Sequence, residues 1–290
     1  MKYWKWMQAT ALCAVGALAF TACDNDDDDD GYTRVPAAVE AAFADRYGGH
    51  GRVDWDAERG GYCVAEFYMD GRECEAWYSP DGSWMMTEVD YGRNLQALPQ
   101  AVQDGYNATT YAQDGWRIDD IDEIQRPGYE NVYKIEVEKA GQPDHDLYFD
   151  LGGTLFRDVQ DDGRDHDNSG MIHDRLPAAL SDYINTQYPG AAIVDFDRED
   201  RGYYEVDLRH EGKSIEVVFD REGNWVMSKT DCDRNVPAVV SEAVARELPG
   251  ARIDDCDYIE TPAGSYWLVE TERPERDLRV TADGQVDFLP

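Results

Sequence analysis

Positive charge is scarce in this sequence of 290 residues. Lysine and arginine together number 27, whereas aspartate and glutamate number 61, so the formal net charge at pH 7 is −34. A surface with this balance repels nucleic acid and anionic lipid headgroups. We therefore expect no nucleic-acid partner. The excess of acid favours basic or cationic partners, or serves solubility alone.

Sequence patterns that mark catalytic centres are also absent. The five histidines form no His-Glu-x-x-His pattern, and the six cysteines form no Cys-x-x-Cys pair. No Gly-x-Ser-x-Gly elbow and no glycine-rich phosphate loop after a strand occurs. We therefore expect a protein that is not an enzyme and that carries no cofactor.

The sequence has one extended apolar run, Met7–Phe20, and this run is too short to span a bilayer stably. Two lysines precede it, which is typical of a targeting segment, here residues 1–22. Phe20-Thr21-Ala22-Cys23 resembles the lipobox of bacterial lipoproteins. The resemblance implies that Cys23 is lipidated and that the protein meets the membrane through this lipid anchor only.

An acidic run, Asp24–Asp30, follows within the segment 23–34. Like charges repel one another, so the run stays extended and predicts a solvated tether. Its position after the lipidated cysteine resembles the export signal of surface lipoproteins in the Bacteroidetes. This resemblance implies an outer membrane lipoprotein exposed on the cell surface, with the periplasmic face as the alternative.

The rest of the chain contains one segment twice. Val35–Asp90 aligns with Leu176–Asp231 without a gap at a spacing of 141 residues, and seventeen of the 56 positions are identical. Internal repeats of this kind determine the architecture before any local motif does. The copies share a proline at the predicted helix start, glycines at the predicted turns and the tryptophan pair Trp84 and Trp225.

Each copy predicts one helix followed by an antiparallel meander. In the second copy, Glu211-Gly212 is typical of a two-residue hairpin turn, which places Leu208 opposite Ile215. One face of the hairpin is then apolar and packs against the helix, whereas the other face is polar and solvated.

Two further segments, Leu98–Val159 and Val236–Phe288, resemble each other more than they resemble the first pair. The units therefore follow an A-B-A-B order. Two units together reach the usual domain size. We expect a first domain at 35–160, an acidic linker at 161–175 and a second domain at 176–290.

Recurring motifs in these units resemble the PepSY-like, beta-lactamase-inhibitor-like family. They are Leu176-Pro177, Tyr188-Pro189-Gly190, Gly202-Tyr203-Tyr204 and Glu222-Gly223. The resemblance implies an α+β fold with helices on one face of antiparallel sheets. It also implies a location in the cell envelope and inhibitor-like binding of another protein.

The linker holds the best candidate for a metal site. Asp165, Asp167 and Ser169 fit three ligand positions of a calcium loop, but Leu176 stands where a bidentate glutamate is needed. A solvated acidic linker is therefore the favoured interpretation, and calcium stays an alternative. Among the cysteines, Cys232 and Cys256 form the one pair for which a disulfide stays open.

The helix-free sheet face of the first domain is the predicted contact surface. Alternation along its strands predicts that Tyr62, Tyr68, Glu75 and Trp77 are exposed there, and exposed aromatic residues are enriched in binding hot spots. The alternative is that these rings cover another unit. We expect a non-enzymatic envelope lipoprotein that binds a protein or peptide, or alternatively a structural protein that responds to calcium or another cation.

Overall fold

The computed structural model describes residues 35–48, 51–57, 61–113, 115–160, 168–172, 176–199, 202–232 and 235–289. The predicted signal segment, Cys23 and the acidic tether lie outside the described residues, and so do Asp165 and Asp167. Within the described ranges, no helix is both long and apolar enough to cross a membrane.

One helix followed by four strands is the pattern of the described chain, and it occurs four times. The first half contains α1 (Ala37–Tyr47), β1 (Asp54–Ala57), β2 (Cys63–Met69), β3 (Arg72–Tyr78), β4 (Trp84–Asp90), α2 (Gln100–Ala108), β5 (Arg117–Gln125), β6 (Val132–Glu138), β7 (His145–Phe149) and β8 (Leu155–Gln160). The second half contains α3 (Ala178–Gln187), β9 (Ala192–Arg198), β10 (Tyr204–His210), β11 (Lys213–Phe219), β12 (Trp225–Asp231), α4 (Ala238–Glu247), β13 (Arg252–Thr261), β14 (Gly264–Glu272), β15 (Arg276–Val280) and β16 (Val286–Phe288).

The strands form two antiparallel sheets, each with eight strands in chain order. The first sheet runs from β1 to β8 and the second from β9 to β16. In each half the fourth strand pairs with the fifth, so two units share one continuous sheet. The predicted α+β class is confirmed, with sheet as its larger part.

The predicted hairpin turns determine the strand register. Asp70 and Glu211 have φ angles of 52° and 51°, and the glycine after each also has a positive φ. Two consecutive left-handed residues form the turn type that matches the twist of a β-hairpin. Leu208 lies opposite Ile215, as the turn predicts.

Apolar side chains gather in clusters, and four of these clusters each contain residues of one helix. Leu180 and Ile184 of α3, for example, pack with Val206, Leu208 and Ile215 of the second sheet. The apolar hairpin face predicted from alternation is thus part of the core. A fifth cluster contains no residue of an α-helix and lies on the opposite face of the first sheet.

Glycines in the last turn of each unit allow the helix start to come close. A Cβ atom on Gly82 would lie 2.7 Å from the carbonyl oxygen of Ala38, and one on Gly153 would overlap the carbonyl oxygen of Ala101. Both glycines also have a positive φ, of 88° and 78°. These positions therefore exclude side chains both by contact and by backbone conformation.

The described cysteines Cys63, Cys74, Cys232 and Cys256 form no disulfide with one another. The thiols of Cys232 and Cys256 are thus unbridged, which answers the question that the sequence leaves open. Cys74 and Cys256 are buried within apolar clusters, where a thiol behaves as a small apolar side chain.

Substitution of Gly153 by alanine should destabilise the protein more than the same change at Gly71. Gly71 has a φ of 81°, but a Cβ atom at this position would have no neighbour within 4 Å among the described residues. Gly71→Ala should therefore cost only the left-handed strain, about 1–2 kcal/mol. Gly153→Ala adds an overlap with the backbone of α2 and should cost clearly more. Urea unfolding of both variants tests this, and equal losses would contradict the close approach.

Candidate functional site

The helix-free face of the first sheet has an apolar part and an acidic part. The apolar part is a cluster of side chains that are at most 7% exposed: Val64, Trp77, Met86, Ile124, Val132 and Tyr148, together with Met171 and Val194. Met171 follows the first sheet in the chain and Val194 belongs to β9 of the second sheet. The apolar part is therefore covered by residues from outside the first sheet.

Arg126 holds this cover in place. Its Nη1 donates to Asp195 Oδ1 at 2.7 Å and to the carbonyl oxygen of Met171 at 3.3 Å. Its Nη2 donates to the carbonyl oxygen of Val194 at 2.5 Å. The side chains of Arg126 and Asp195 are each only 2% exposed. Desolvating one charge without its partner would cost several kcal/mol, so the pair keeps the two halves in contact.

The acidic part is a half-open cleft of about 200 Å³. It is lined by Glu73, Cys74, Glu75, Glu88, Asp90, Asp120 and Asp122. Strand pairing places Asp90 of β4 opposite Asp122 of β5. Asp120 of the same strand follows a register shift in the pairing of β5 with β6, between Ile118 and Asp120. One carboxylate oxygen from each of Asp90, Asp120 and Asp122 lies within 4.8 Å of the other two.

The electrostatics of the cleft reflect this crowding of negative charge. Burial, and then the charges of Glu88 and Asp120, raise the pKa of Asp122 to about 8. Burial also raises the pKa of Asp120. The buried ammonium of Lys134 partly offsets the rise in the pKa of Asp120 and Asp122, and it contacts Glu136 at 2.5 Å. The cleft is thus a site of unfavourable negative potential that a cation would relieve.

The second sheet has the same kind of face but a different charge at its centre. Lys229 occupies the position that Glu88 has in the first sheet, 141 residues earlier. Its ammonium lies 2.5 Å from Glu216. Burial and nearby carboxylates raise the pKa of Glu205 to about 8 and that of Asp207 well above its usual value. This polar face was predicted to be solvated, but its carboxylates Glu205 and Asp207 are half-buried.

The predicted contact residues separate in the structure. Tyr68 is 65% exposed and its hydroxyl donates to Glu73 at 3.0 Å. Glu75 is half-buried and lines the acidic cleft. Tyr62 is half-buried against Trp77, with ring centroids 6.1 Å apart. Only Tyr68 and Glu75 therefore lie at the open part of the face.

The predicted exposure of Trp77 is wrong. Trp77 is 1% exposed, because Met171 and Val194 belong to the cluster that covers it. This outcome corresponds to the alternative in which the aromatic rings cover another unit. Trp77 is consequently unavailable to a partner in this conformation.

The linker region contributes a contact that the sequence did not indicate. Asn168, in the short 3-10 helix Asn168–Met171, is 5% exposed and its amide donates to Glu88 at 2.5 Å. Ser169 belongs to the same short helix. Sequence alternation alone also missed Asp90, Asp120 and Asp122 as a group, because their proximity depends on the pairing of β4 with β5.

Comparisons with known proteins identify similar sequences and structures. A family model described as beta-lactamase-inhibitor-like, PepSY-like matches residues 60–157, 166–213 and 202–288. No protein with a curated description matches the chain.

Three solved structures from Bacteroides each align with less than half of this chain. A BLIP-like protein from Bacteroides fragilis is 31% identical, with coverage of 48% of this chain and 97% of that one and a TM-score of 0.43. A protein from Bacteroides eggerthii described as periplasmic is 25% identical, with coverage of 45% and 90% and a TM-score of 0.41. A protein from Bacteroides thetaiotaomicron described as calcium-regulated and periplasmic is 19% identical, with coverage of 48% and 94% and a TM-score of 0.21.

The raised pKa of Asp122 predicts how stability depends on pH. An unfolded aspartate titrates near pH 4, whereas Asp122 in the folded protein has a pKa of about 8. Between these values the folded state keeps a proton that the unfolded state releases, so the free energy of unfolding falls as the pH rises from about 4 to about 8. Asp122→Asn should remove this pH dependence. The free energy of unfolding of the variant, relative to that of the wild type, should therefore increase as the pH rises from about 4 to about 8.

Urea unfolding at several pH values between 4 and 8 measures the effect. Glu242→Gln, an exposed substitution on α4 with the same change of charge, serves as the control and should follow the wild type. Parallel pH profiles for Asp122→Asn and the wild type would contradict the perturbed carboxyl group.

Proposed function

Because the chain belongs to the beta-lactamase-inhibitor-like, PepSY-like family, we propose that it is a non-enzymatic envelope protein that binds a positively charged segment of a protein or peptide partner. The acidic cleft on the helix-free face of the first sheet is the contact site. One observation carries the proposal: this face is covered where it is apolar and open where its carboxylates gather.

A lysine or arginine side chain of the partner fits the chemistry of the cleft. Its charge would neutralise the crowded group around Asp122 and form charge-assisted hydrogen bonds with the carboxylates, which are stronger than neutral ones. Tyr68 stands next to Glu73 and supplies an exposed aromatic ring beside the charge. A ring beside a charged pocket is a frequent composition of a binding hot spot.

A hexalysine peptide titrated into the full chain by calorimetry tests the proposal. The wild type should bind it with an affinity that falls as salt is added, because ions screen exposed charges. The double variant Asp90→Asn with Asp122→Asn should lose at least about tenfold in affinity, on the order of 1.4 kcal/mol. Tyr68→Ser should weaken binding without changing the melting temperature.

Overall net charge also attracts a cationic peptide, so a matched control is needed. The double variant Glu242→Gln with Glu247→Gln makes the same change of charge on α4, where both residues are exposed. It should retain nearly all of the wild-type affinity. Equal losses in the two double variants would show that the cleft has no specific role.

A divalent cation is the second candidate ligand, and the grouping of Asp90, Asp120 and Asp122 favours it. Three carboxylate oxygens within 4.8 Å of one another can supply part of the set of oxygen ligands that a calcium ion needs. Calcium chloride in place of hexalysine in the same titration distinguishes the two functions. A heat of binding for calcium with none for the peptide would replace the first proposal by the second.

We also propose that Cys23 is lipidated and that Asp24–Asp30 directs the protein to the cell surface as an outer membrane lipoprotein. The lipobox-like sequence and the acidic run support this location. Cys23→Ala should release the protein from the membrane fraction into the soluble fraction. Retention of Cys23→Ala with membranes, in protein from which residues 1–22 have been removed, would contradict lipid anchoring.

The domain organisation belongs to the same proposal. Residues 35–160 and 176–290 are two domains, each made of an A unit followed by a B unit, and residues 161–175 connect them. Helices cover one face of each sheet and leave the other face for contacts. The fourfold succession of one helix and four strands, with two sheets of eight strands, supports this organisation.

A further inference from the structure

A cavity of about 480 Å³ lies on the other side of the second sheet, the side to which α3 and α4 belong. Its lining includes the side chains of Ile215 and Thr230, which also face the helices. The remaining walls that matter here are Tyr188, Cys232, Tyr258, Glu260 and Trp267. The volume is within the range of small-molecule sites, roughly 300–1,000 Å³.

The internal duplication shows what occupies this place in the first half. The repeat continues past its fourth strand, so that Asp90-Tyr91-Gly92-Arg93-Asn94 aligns with Asp231-Cys232-Asp233-Arg234-Asn235. The backbone N–H of Tyr91 donates to the carbonyl oxygen of Ile121 at 2.8 Å. The backbone N–H of Cys232 donates to the carbonyl oxygen of Cys256, also at 2.8 Å. Cys232 therefore occupies the backbone position of Tyr91.

The ring of Tyr91 fills the corresponding space in the first half. It packs edge-to-face against Tyr133, with centroids 6.1 Å apart, and the guanidinium of Arg72 lies 4.2 Å from its centroid. Its hydroxyl donates to Glu123 Oε2 at 2.8 Å. An aromatic ring is thus the natural occupant of this position in the fold.

Different side chains stand at the equivalent wall positions in the second half. Trp267 pairs across the strands with Tyr258, as Tyr133 pairs with Glu123 in the first half. Tyr258 and Trp267 form an aromatic pair of their own, with centroids 5.2 Å apart. Lys213 stands at the position of Arg72, so a cation still borders the site.

The second half is also shorter by three residues beside this space. The first half has three additional residues, Leu95–Ala97, which form a 3-10 turn before Leu98-Pro99. In the second half Asn235 is followed directly by Val236-Pro237. Leu95 packs against the same apolar cluster as Tyr91. The second half therefore lacks both the ring and the apolar side chain next to it.

We propose that this cavity binds a planar, uncharged aromatic ring of the phenol or indole type, which takes the place that the ring of Tyr91 has in the first half. The ring completes an aromatic group with Tyr258 and Trp267, in the offset or edge-to-face arrangements that aromatic side chains prefer. The thiol of Cys232 offers a polarisable contact. The ring is either a free small molecule or the aromatic side chain of a peptide.

Ligand-observed NMR on the full chain tests the proposal with p-cresol and indole as probes and cyclohexanol as the non-aromatic control. The wild type should bind both aromatic probes and not the control. Cys232→Tyr restores the residue of the first half, fills the cavity and should weaken p-cresol binding at least tenfold. Cys232→Ser leaves the cavity open and should change the affinity less than threefold.

Two further experiments are needed. One distinguishes a free small molecule from a peptide side chain as the ligand, and the other is a second cavity variant in case Cys232→Tyr misfolds. Competition between p-cresol and acetyl-Gly-Tyr-Gly-amide, but not acetyl-Gly-Ala-Gly-amide, would identify a peptide side chain, whereas binding of p-cresol alone would identify a free small molecule. Trp267→Leu removes one wall and should also weaken binding severalfold. The absence of aromatic binding by the wild type, or full binding by folded Cys232→Tyr and Trp267→Leu, would overturn the proposal.

Discussion

The buried ion pair between Arg126 and Asp195 is the interaction on which the arrangement of the two halves depends. Both side chains are 2% exposed, and Arg126 also bonds to the carbonyl oxygens of Met171 and Val194. Buried charges are tolerated only when they are paired and hydrogen-bonded. Because the contacts come from three separate segments, the pair determines where each of them lies.

The position of these segments determines which part of the helix-free face of the first sheet is covered and which part is open. Met171 and Val194 join the apolar cluster around Trp77 and remove it from solvent. The carboxylates of Asp90, Asp120 and Asp122 stay half-exposed beside it. The contact surface that we propose is therefore defined by charge rather than by exposed aromatic area, with Tyr68 as the exposed ring at its side.

Duplication supplies a comparison within the same molecule. The two sheets share topology, but Glu88 in one corresponds to Lys229 in the other, and Tyr91 corresponds to Cys232. The first difference changes the charge at the centre of the helix-free face. The second difference leaves a cavity on the helix-bearing side of the second sheet. The two halves thus have the same fold but differ in the charge of the helix-free face and in the cavity on the helix-bearing side.

The sequence predicted the features that depend on local patterns. The two-residue turn at Glu211-Gly212 and the pairing of Leu208 with Ile215 follow from glycine positions and alternation, and both are confirmed. The α+β class, which the family resemblance implies, is also confirmed. The family resemblance is confirmed as well. These features are determined within a few residues, so a single copy of the repeat contains the information.

Features that depend on distant segments were not predictable in this way. The burial of Trp77 requires Val194, which is more than a hundred residues later in the chain. The grouping of Asp90 with Asp122 requires the pairing of strands from two different units. The replacement of Tyr91 by Cys232 could be read from the sequence, because both residues directly follow the aligned repeat. That it leaves a cavity could not be predicted, because the cavity depends on residues from several strands.

Hydrogen exchange on Arg126→Met tests the central claim most directly. Removing one member of a buried pair costs roughly 3–5 kcal/mol, so residues 168–172 and β9 should lose protection. The inner strands of each sheet should stay protected, since each half keeps its own core. Loss of protection confined to the immediate surroundings of residue 126, with stability changed by less than about 1 kcal/mol, would contradict the role assigned to the pair.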